Sequence, residues 1–322
     1  MDGLVSVFGG SGFIGRQTVR ALAKRGHRIR VAVRNPGGAY RLRMLGDVGQ
    51  VQIVQANLRN PASIARALDG AQACVNLVGV LYETGRQAFQ SVHAMGSRNV
   101  AEAAAAQGIT SFVQMSALGA DPDSASKYAR TKAMGEAAVR EVMPTATILR
   151  PSVVFGAEDA FLNKFAAMAT LSPGLPLVGG GQTRFQPVFV ADVAAAIAAA
   201  LTDPAAMGRA YELGGPGIYT FKQLMELVLR ETGRKRLLLP LPFPLATLIG
   251  TLSQFSAPLF PPVLTADQVE LLRHDNVVTP GAPGLAELGI EATAVEPVVA
   301  TYLYRYRKGG QFADDLQPVP AG

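Results

Sequence analysis

The chain has 322 residues, 49% of them hydrophobic and 17% charged, enough apolar material for one large domain or a large domain with a smaller companion. A mean hydropathy of +0.21 is high for a protein in water and leaves apolar surface for a partner or a lipid headgroup layer. The net charge of +6 does not point to nucleic acid: there is no aromatic-interleaved basic sheet, no zinc or other metal-ligand spacing and no helix-turn-helix pattern.

From residue 4 to 149 short apolar runs alternate with helical periodicity. Strands are expected over 4–8, 28–33, 51–55, 73–78, 111–115 and 147–149, and helices over 13–25, 39–45, 61–68, 87–106 and 126–143. Gly26 and Gly108 follow two of these helices as C′ glycines, and Asn60-Pro61 supplies an N-cap followed by proline at N1. The rhythm predicts an α/β fold, a Rossmann doubly wound parallel sheet with helices on both faces. The one cysteine, Cys74, lies in the fourth apolar run, so no intrachain disulfide can form. A reducing compartment fits, and nothing in the opening residues reads as an export signal.

After Pro151 the pattern loosens. Glycine and proline cluster over 172–181, a helix is expected over 192–201, a strand over 210–213, and a helix from the cap Thr220 to about 232. The expected division is a Rossmann domain over 1–155, with strands returning to it from about 186–213, and a smaller substrate-type domain over 156–308. The polar tail 309–322 is expected to be flexible. The stretch 237–266 holds no charged residue, yet prolines at 240, 242, 244, 258, 261 and 262 break it into pieces too short to cross a bilayer. Two readings stay open for it: core of the smaller domain, or a docking surface for a partner or a membrane interface.

The strongest motif is Gly9-Gly10-Ser11-Gly12-Phe13-Ile14-Gly15, directly after the first strand and opening the first helix. Gly9 permits a tight turn, Gly12 lets the backbone approach a pyrophosphate, and Gly15 lets helix and strand pack closely. The helix start then offers its N–H groups to phosphates. An NAD-binding chain would carry Asp or Glu at the end of its second strand for the ribose 2′-OH. Here that end reads Val33-Arg34-Asn35, and no acidic residue occurs between Gly3 and Gly46. A 2′-phosphate would meet Arg34, with Arg16 or Arg41 as helpers, so the expected cofactor is NADP(H). By topology, Asn57 and Leu58 end strand three beside the adenine, and Leu77, Val78 and Gly79 line the adenosine side.

Beyond the glycines, Ser116 ends strand five, Tyr128-x-x-x-Lys132 follows on the next helix, and Arg150-Pro151-Ser152-Val153-Val154-Phe155-Gly156 closes the unit. These residues resemble the extended or atypical branch of the short-chain dehydrogenase/reductase superfamily. The resemblance implies Tyr128 as general acid/base, Lys132 to lower its pKa, and Ser116 to hold the substrate oxygen. It also adds Met115, Pro151, Val153 and Val154 to the cofactor site. One position departs from the pattern: the superfamily's asparagine on helix four is replaced by His93 in His93-Ala94-Met95-Gly96-Ser97-Arg98-Asn99. Tyr128 and Lys132 therefore have two readings, a catalytic pair or a pair that grips ribose and nicotinamide without turnover.

The second half narrows the resemblance. Glu158-Asp159-Ala160-Phe161-Leu162-Asn163-Lys164-Phe165, Gln186-Pro187-Val188-Phe189-Val190-Ala191-Asp192-Val193, Leu239-Pro240-Leu241-Pro242-Phe243-Pro244-Leu245 and Pro283-Gly284-Leu285-Ala286-Glu287-Leu288-Gly289-Ile290-Glu291-Ala292-Thr293 follow in order. They resemble the nucleotide-binding accessory subunits of respiratory complex I, in a bacterial form without a mitochondrial presequence, over about residues 3–308. The resemblance implies tightly held NADPH off the electron path to quinone and other complex I subunits as partners. It places the protein peripherally at the cytoplasmic face of the inner membrane (the matrix side in a mitochondrion). The alternative is a free-standing NADP(H)-dependent reductase or epimerase acting on a sugar nucleotide, isoprenoid or quinone-like substrate. Near the end, Tyr302, Tyr304 and Tyr306 alternate with Arg305, Arg307 and Lys308, a combination suited to lipid headgroups if exposed.

Overall fold

Strands covered on both faces read as continuous apolar runs, and Ala73-Cys74-Val75-Asn76, all four buried, is such a strand. The computed structural model describes residues 3–85, 87–255 and 264–312. Its first half holds β1 (Leu4–Phe8), α1 (Phe13–Lys24), β2 (Arg28–Val33), β3 (Val51–Gln55), α2 (Pro61–Leu68), β4 (Ala73–Asn76), α3 (Met95–Ala106), β5 (Ser111–Met115), α4 (Lys127–Val142) and β6 (Thr147–Pro151). Its second half holds β7 (Val154–Phe155), α5 (Leu162–Leu171), β8 (Gly174–Val178), β9 (Arg184–Phe185), β10 (Val188–Phe189), α6 (Val190–Ala200) and β11 (Ala210–Leu213). Then follow β12 (Tyr219–Thr220), α7 (Phe221–Glu231), β13 (Leu237–Leu241), α8 (Phe243–Phe255), α9 (Ala266–Leu271) and α10 (Val295–Leu303).

Seven strands form one parallel sheet in the order β3-β2-β1-β4-β5-β6-β11. Strand pleating sends alternate residues to opposite faces. Val7, Val75 and Val113 join Leu22 of α1 and Ile197 of α6 on one face. Phe8, Cys74 and Phe112 join Ile64 of α2 and Val139 of α4 on the other. Each such side chain, fully buried, stabilises the fold by about 1.5–3 kcal/mol. The strand order reverses between β1 and β4, which opens a crevice at their carboxyl ends.

A second core lies outside the sheet, where Phe155, Leu162, Phe221, Leu224 and Val299 pack from α5, α7 and α10. The uncharged stretch becomes β13, paired in parallel with β8, and then α8. On α8, Ala246 is buried with Val178 and Val269, while Leu245, Leu248, Ile249 and Leu252 are exposed. Among the described residues no helix is long and apolar enough to cross a membrane.

Several expectations need correction. The segment expected as a helix over 39–45 is a 3-10 helix, Pro36–Leu45, entered through Asn35, whose side chain accepts from the Gly37 amide. Pro36, Gly37 and Gly38 there disfavour α-helix. The helix expected over 87–106 begins at Phe89 and runs its first turns as a π-helix, Gln90–Ala94, that continues into α3. Strand four stops at Asn76 because its side chain accepts from the Val78 amide and turns the chain. Of the returning segment, only β11 joins the main sheet; β10 pairs with β7 instead. In the tail, Gly310–Phe312 form a 3-10 turn, and 313–322 lie outside the described residues.

Candidate functional site

The glycine turn sits at the crevice. Gly9 has φ +80°, and its carbonyl accepts from the Gly12 amide at 3.0 Å. A Cβ on Gly15 would lie 2.4 Å from the Gly9 oxygen, so no larger residue fits while α1 leaves the turn this closely. Gly10, Ser11, Phe13 and Ile14 complete the turn, and Gly12 is the N-cap of α1 with no side chain capping it. The first-turn amides of α1 thus point into the crevice without a protein acceptor supplied by the cap, a fitting cradle for a pyrophosphate.

At the end of β2 the exposed Arg34 has no carboxylate partner among the described residues. Arg41 is likewise exposed. Arg16 is placed otherwise: its guanidinium donates to the Ser11 carbonyl at 2.6 Å and pairs with Glu158. It braces the glycine turn against the second half of the chain, which leaves it less available to a 2′-phosphate. Asn57 and Leu58 lie in a tied loop, where Asn57 Oδ1 accepts from the Arg59 amide and the Leu58 carbonyl accepts from Asn99.

Leu77, Val78 and Gly79 leave β4 over a buried amide network in which Asn76 donates to Gln114 at 2.9 Å. The next residue is held by His93, whose Nε2 accepts the Val80 amide at 3.0 Å. The proton therefore sits on Nδ1, which donates to Thr131 Oγ1 at 3.1 Å, and that hydroxyl donates to the Tyr128 carbonyl at 3.1 Å. Burial and the nearby Lys132 charge push His93 down to about 3. With both ring nitrogens committed, His93 ties loop to helix and offers no free site for a proton relay.

Tyr128 and Lys132 lie one turn apart on α4, and Lys132 reaches the end of β5, which Ser116 follows. Ser116 is 4% exposed, and its hydroxyl has no hydrogen-bond partner in the protein. A buried orphan of this kind is open to an acceptor or donor from a ligand or an ordered water. Lys132 Nζ donates to the Met115 carbonyl at 3.4 Å, and a Cβ on Gly79 would lie 3.2 Å from that ammonium. The Tyr128 ring stands edge-on to Phe89 and His93, with Lys132 Nζ over its face, 5.8 Å from the centroid. Burial, helped by the Asp267 carboxylate, pushes Tyr128 up to about 12. Burial pulls Lys132 down to about 8, against the Glu136 charge. As the protein stands, the phenol is protonated at neutral pH.

Pro151 ends β6, and Val153 leads into β7, which starts at Val154. The Pro151 carbonyl accepts from Leu118 at 2.9 Å, and the Val153 amide donates to Asn276 Oδ1 at 3.2 Å. Beside α4 a cleft of about 590 Å³ is lined by Tyr82, Glu83, Phe89, Lys127, Arg130 and Asp267. No motif pointed to Asp267 or Asn276, which lie more than a hundred residues from Tyr128 and Val153, whose amides they accept from. Thr131 could have been found, since it lies beside Lys132 on the same turn of helix.

The C-terminal tyrosines do not share one exposed face. Tyr302 is buried and donates to Asp159 at 2.7 Å. Tyr306 donates to Asn163, Arg305 to the Ala157 carbonyl, and Arg307 to the Glu231 carbonyl at 2.8 Å. This segment is a strap on α5 and α7.

Sheet order, glycine cradle and the Ser116–Tyr128–Lys132 cluster together define a nucleotide-binding protein of the extended short-chain dehydrogenase/reductase class. The family described as "NAD dependent epimerase/dehydratase family" matches residues 5–214. A solved NADPH complex of a quinone oxidoreductase from Escherichia coli shares the fold, with TM-score 0.72 and 22% identity over 93% of this chain and 99% of that one. Closer in sequence is the Arabidopsis thaliana "NADH dehydrogenase [ubiquinone] 1 alpha subcomplex subunit 9, mitochondrial", 37% identical over 96% of this chain and 80% of the relative. The Neurospora crassa "NADH-ubiquinone oxidoreductase 40 kDa subunit, mitochondrial" is 33% identical over 98% and 82%. The chain belongs to this family of NADH–ubiquinone oxidoreductase subunits, a branch of the epimerase/dehydratase fold.

Proposed function

We propose that the chain is a non-catalytic accessory subunit of respiratory complex I that carries NADPH as a structural cofactor. The observation that supports the absence of turnover is the commitment of His93, which stands in the place of the superfamily's asparagine. Its ring nitrogens are taken up by the Val80 amide and the Thr131 hydroxyl.

In this reading the amides of Gly9–Gly15 hold the pyrophosphate and Arg34 the 2′-phosphate. Asn57, Leu58 and Leu77–Gly79 flank the adenosine, and Ser116, Tyr128 and Lys132 grip the nicotinamide ribose beside Met115, Pro151, Val153 and Val154. Bound NADPH supplies a hydride in the catalytic members of such a class; here it supplies binding free energy. A ligand at 1,000 times its dissociation constant stabilises the folded state by about 4 kcal/mol.

The partners proposed are other complex I subunits, with the protein peripheral at the cytoplasmic face of the inner membrane. The exposed apolar face of α8 supports contact with an apolar partner surface or the headgroup boundary. The test is purification from native membranes, with identification of co-purifying subunits and of the nucleotide released on denaturation. Complex I subunits and stoichiometric NADP(H) are expected. A free protein that reduces an added carbonyl or quinone with NADPH, and loses this with Tyr128→Phe, would establish the reductase reading instead.

A further inference from the structure

One segment of the second half, residues 264–276, is stitched to both walls of the nucleotide site. Asp267, in the first turn of α9, reaches the start of the helix that carries Tyr128 and Lys132. Its Oδ1 accepts from the Lys127 amide at 2.6 Å, and its Oδ2 accepts from Ser126 Oγ at 2.9 Å and from the Tyr128 amide at 3.2 Å. A carboxylate on the first amides of a helix makes charge-assisted hydrogen bonds and meets the positive end of the helix dipole. Nine residues on, Asn276 Oδ1 accepts from Ser152 Oγ at 2.7 Å and from the Val153 amide, while its Nδ2 donates to the Leu118 carbonyl at 3.4 Å.

The same segment is fastened to the apolar helix α8. A Cβ on Gly250 would lie 2.7 Å from the Ala266 amide nitrogen, so the two backbones touch. Val269 shares a small core with Ala246, and the Arg273 guanidinium lies 4.5 Å from the centre of the Phe243 ring. Segment 264–276 is therefore the solid connection between the exposed leucines of α8 and the residues that would grip the nicotinamide ribose.

We infer that Asp267 is a positioning residue through which the nucleotide site and the apolar α8 helix form one thermodynamically linked unit. The inference rests on the nucleotide reading above. Nucleotide that fixes Tyr128 and Lys132 fixes the start of α4, and through Asp267 it fixes α9 and α8. Linkage is reciprocal, so whatever covers α8 tightens the hold on nucleotide by the same factor.

The test is hydrogen exchange of the full chain, read at the backbone amides of Phe243–Phe255 with and without saturating NADPH, beside calorimetric measurement of NADPH affinity. In the wild type, NADPH is expected to slow exchange there roughly fivefold or more, the low end of measured couplings between sites. Asp267→Ala is expected to bind NADPH about 5- to 20-fold more weakly and, once saturated, to lose the response at α8. Asp267→Asn keeps one acceptor and loses the charge, so it should show a reduced response; it decides the matter if the alanine variant does not fold. Glu226→Gln, in a surface pair with Lys222 on α7, should leave affinity and response unchanged. Wild-type protein that binds NADPH with unchanged exchange at α8, or an Asp267→Asn variant with the full response, overturns the inference. Wild-type protein that binds no nicotinamide nucleotide overturns the nucleotide reading and this inference together.

Discussion

His93 Nδ1 lies 3.1 Å from Thr131 Oγ1, one turn of α4 away from the tyrosine, while its Nε2 accepts the Val80 amide and so holds the imidazole in its neutral form. Protonation would force Nε2 to release the Val80 amide. Because folding lowers the His93 pKa from 6.5 to about 3, the unfolded chain takes up its proton first as pH falls. The stability this residue contributes is therefore complete above about pH 6.5 and is lost as pH falls from there toward 3, by at most about 1.4 kcal/mol per unit. Urea unfolding of wild type and His93→Asn across that window should give a stability difference that shrinks with falling pH. A constant difference would show that the imidazole is not held neutral.

Arg34 offers the test of cofactor choice. Replacing it with Asp removes a charge-assisted contact to a 2′-phosphate and adds repulsion. NADPH binding should weaken about 10- to 100-fold while NADH binding changes little. Equal losses in calorimetric titration would remove Arg34 from the site.

Gly12 separates cofactor from fold. A Cβ there meets only the Gly9 carbonyl, at 3.3 Å, so Gly12→Asp should fold, yet its carboxylate would stand in the phosphate position. Thermal unfolding should show a wild-type midpoint raised by NADPH and a variant midpoint that NADPH does not move. A variant still stabilised by NADPH would contradict the cradle assigned to α1.

The exposed leucines and the C-terminal cations make opposite predictions. Leu248 and Leu252 are 56% and 61% exposed, so changing both to Glu should preserve the fold and release the protein from membranes. Arg305 and Arg307 hold backbone carbonyls, so changing them to Gln should cost stability, about 1 kcal/mol for each bond lost. Flotation with native membranes, paired with urea unfolding, checks both. Retention of the double Glu variant would move the contact away from α8.

Local patterns made the sheet legible. Apolar runs, cap residues and the glycine turn depend on neighbours in sequence, and they located β1 to β6; Ser116, Tyr128 and Lys132 came from the family resemblance. The π-turn at Gln90–Ala94 was not legible; the partners of His93 within it, Val80 and Thr131, lie 13 and 38 residues away. Nor was the role of Asp267, whose partners lie about 140 residues away. The internal contacts of the basic tyrosine segment were not legible for a related reason: Asp159, Asn163 and Glu231, which bond Tyr302, Tyr306 and Arg307, are remote in the chain.

The central claim, a structural nucleotide in a complex I subunit, is tested most directly by blue-native separation of membranes carrying the wild type, Tyr128→Phe or Gly12→Asp. The account predicts that wild type and Tyr128→Phe co-migrate with assembled complex I, whereas Gly12→Asp does not, with less complex formed. A wild-type protein that runs only as a free species, or a Gly12→Asp variant that assembles as well as the wild type, would contradict it.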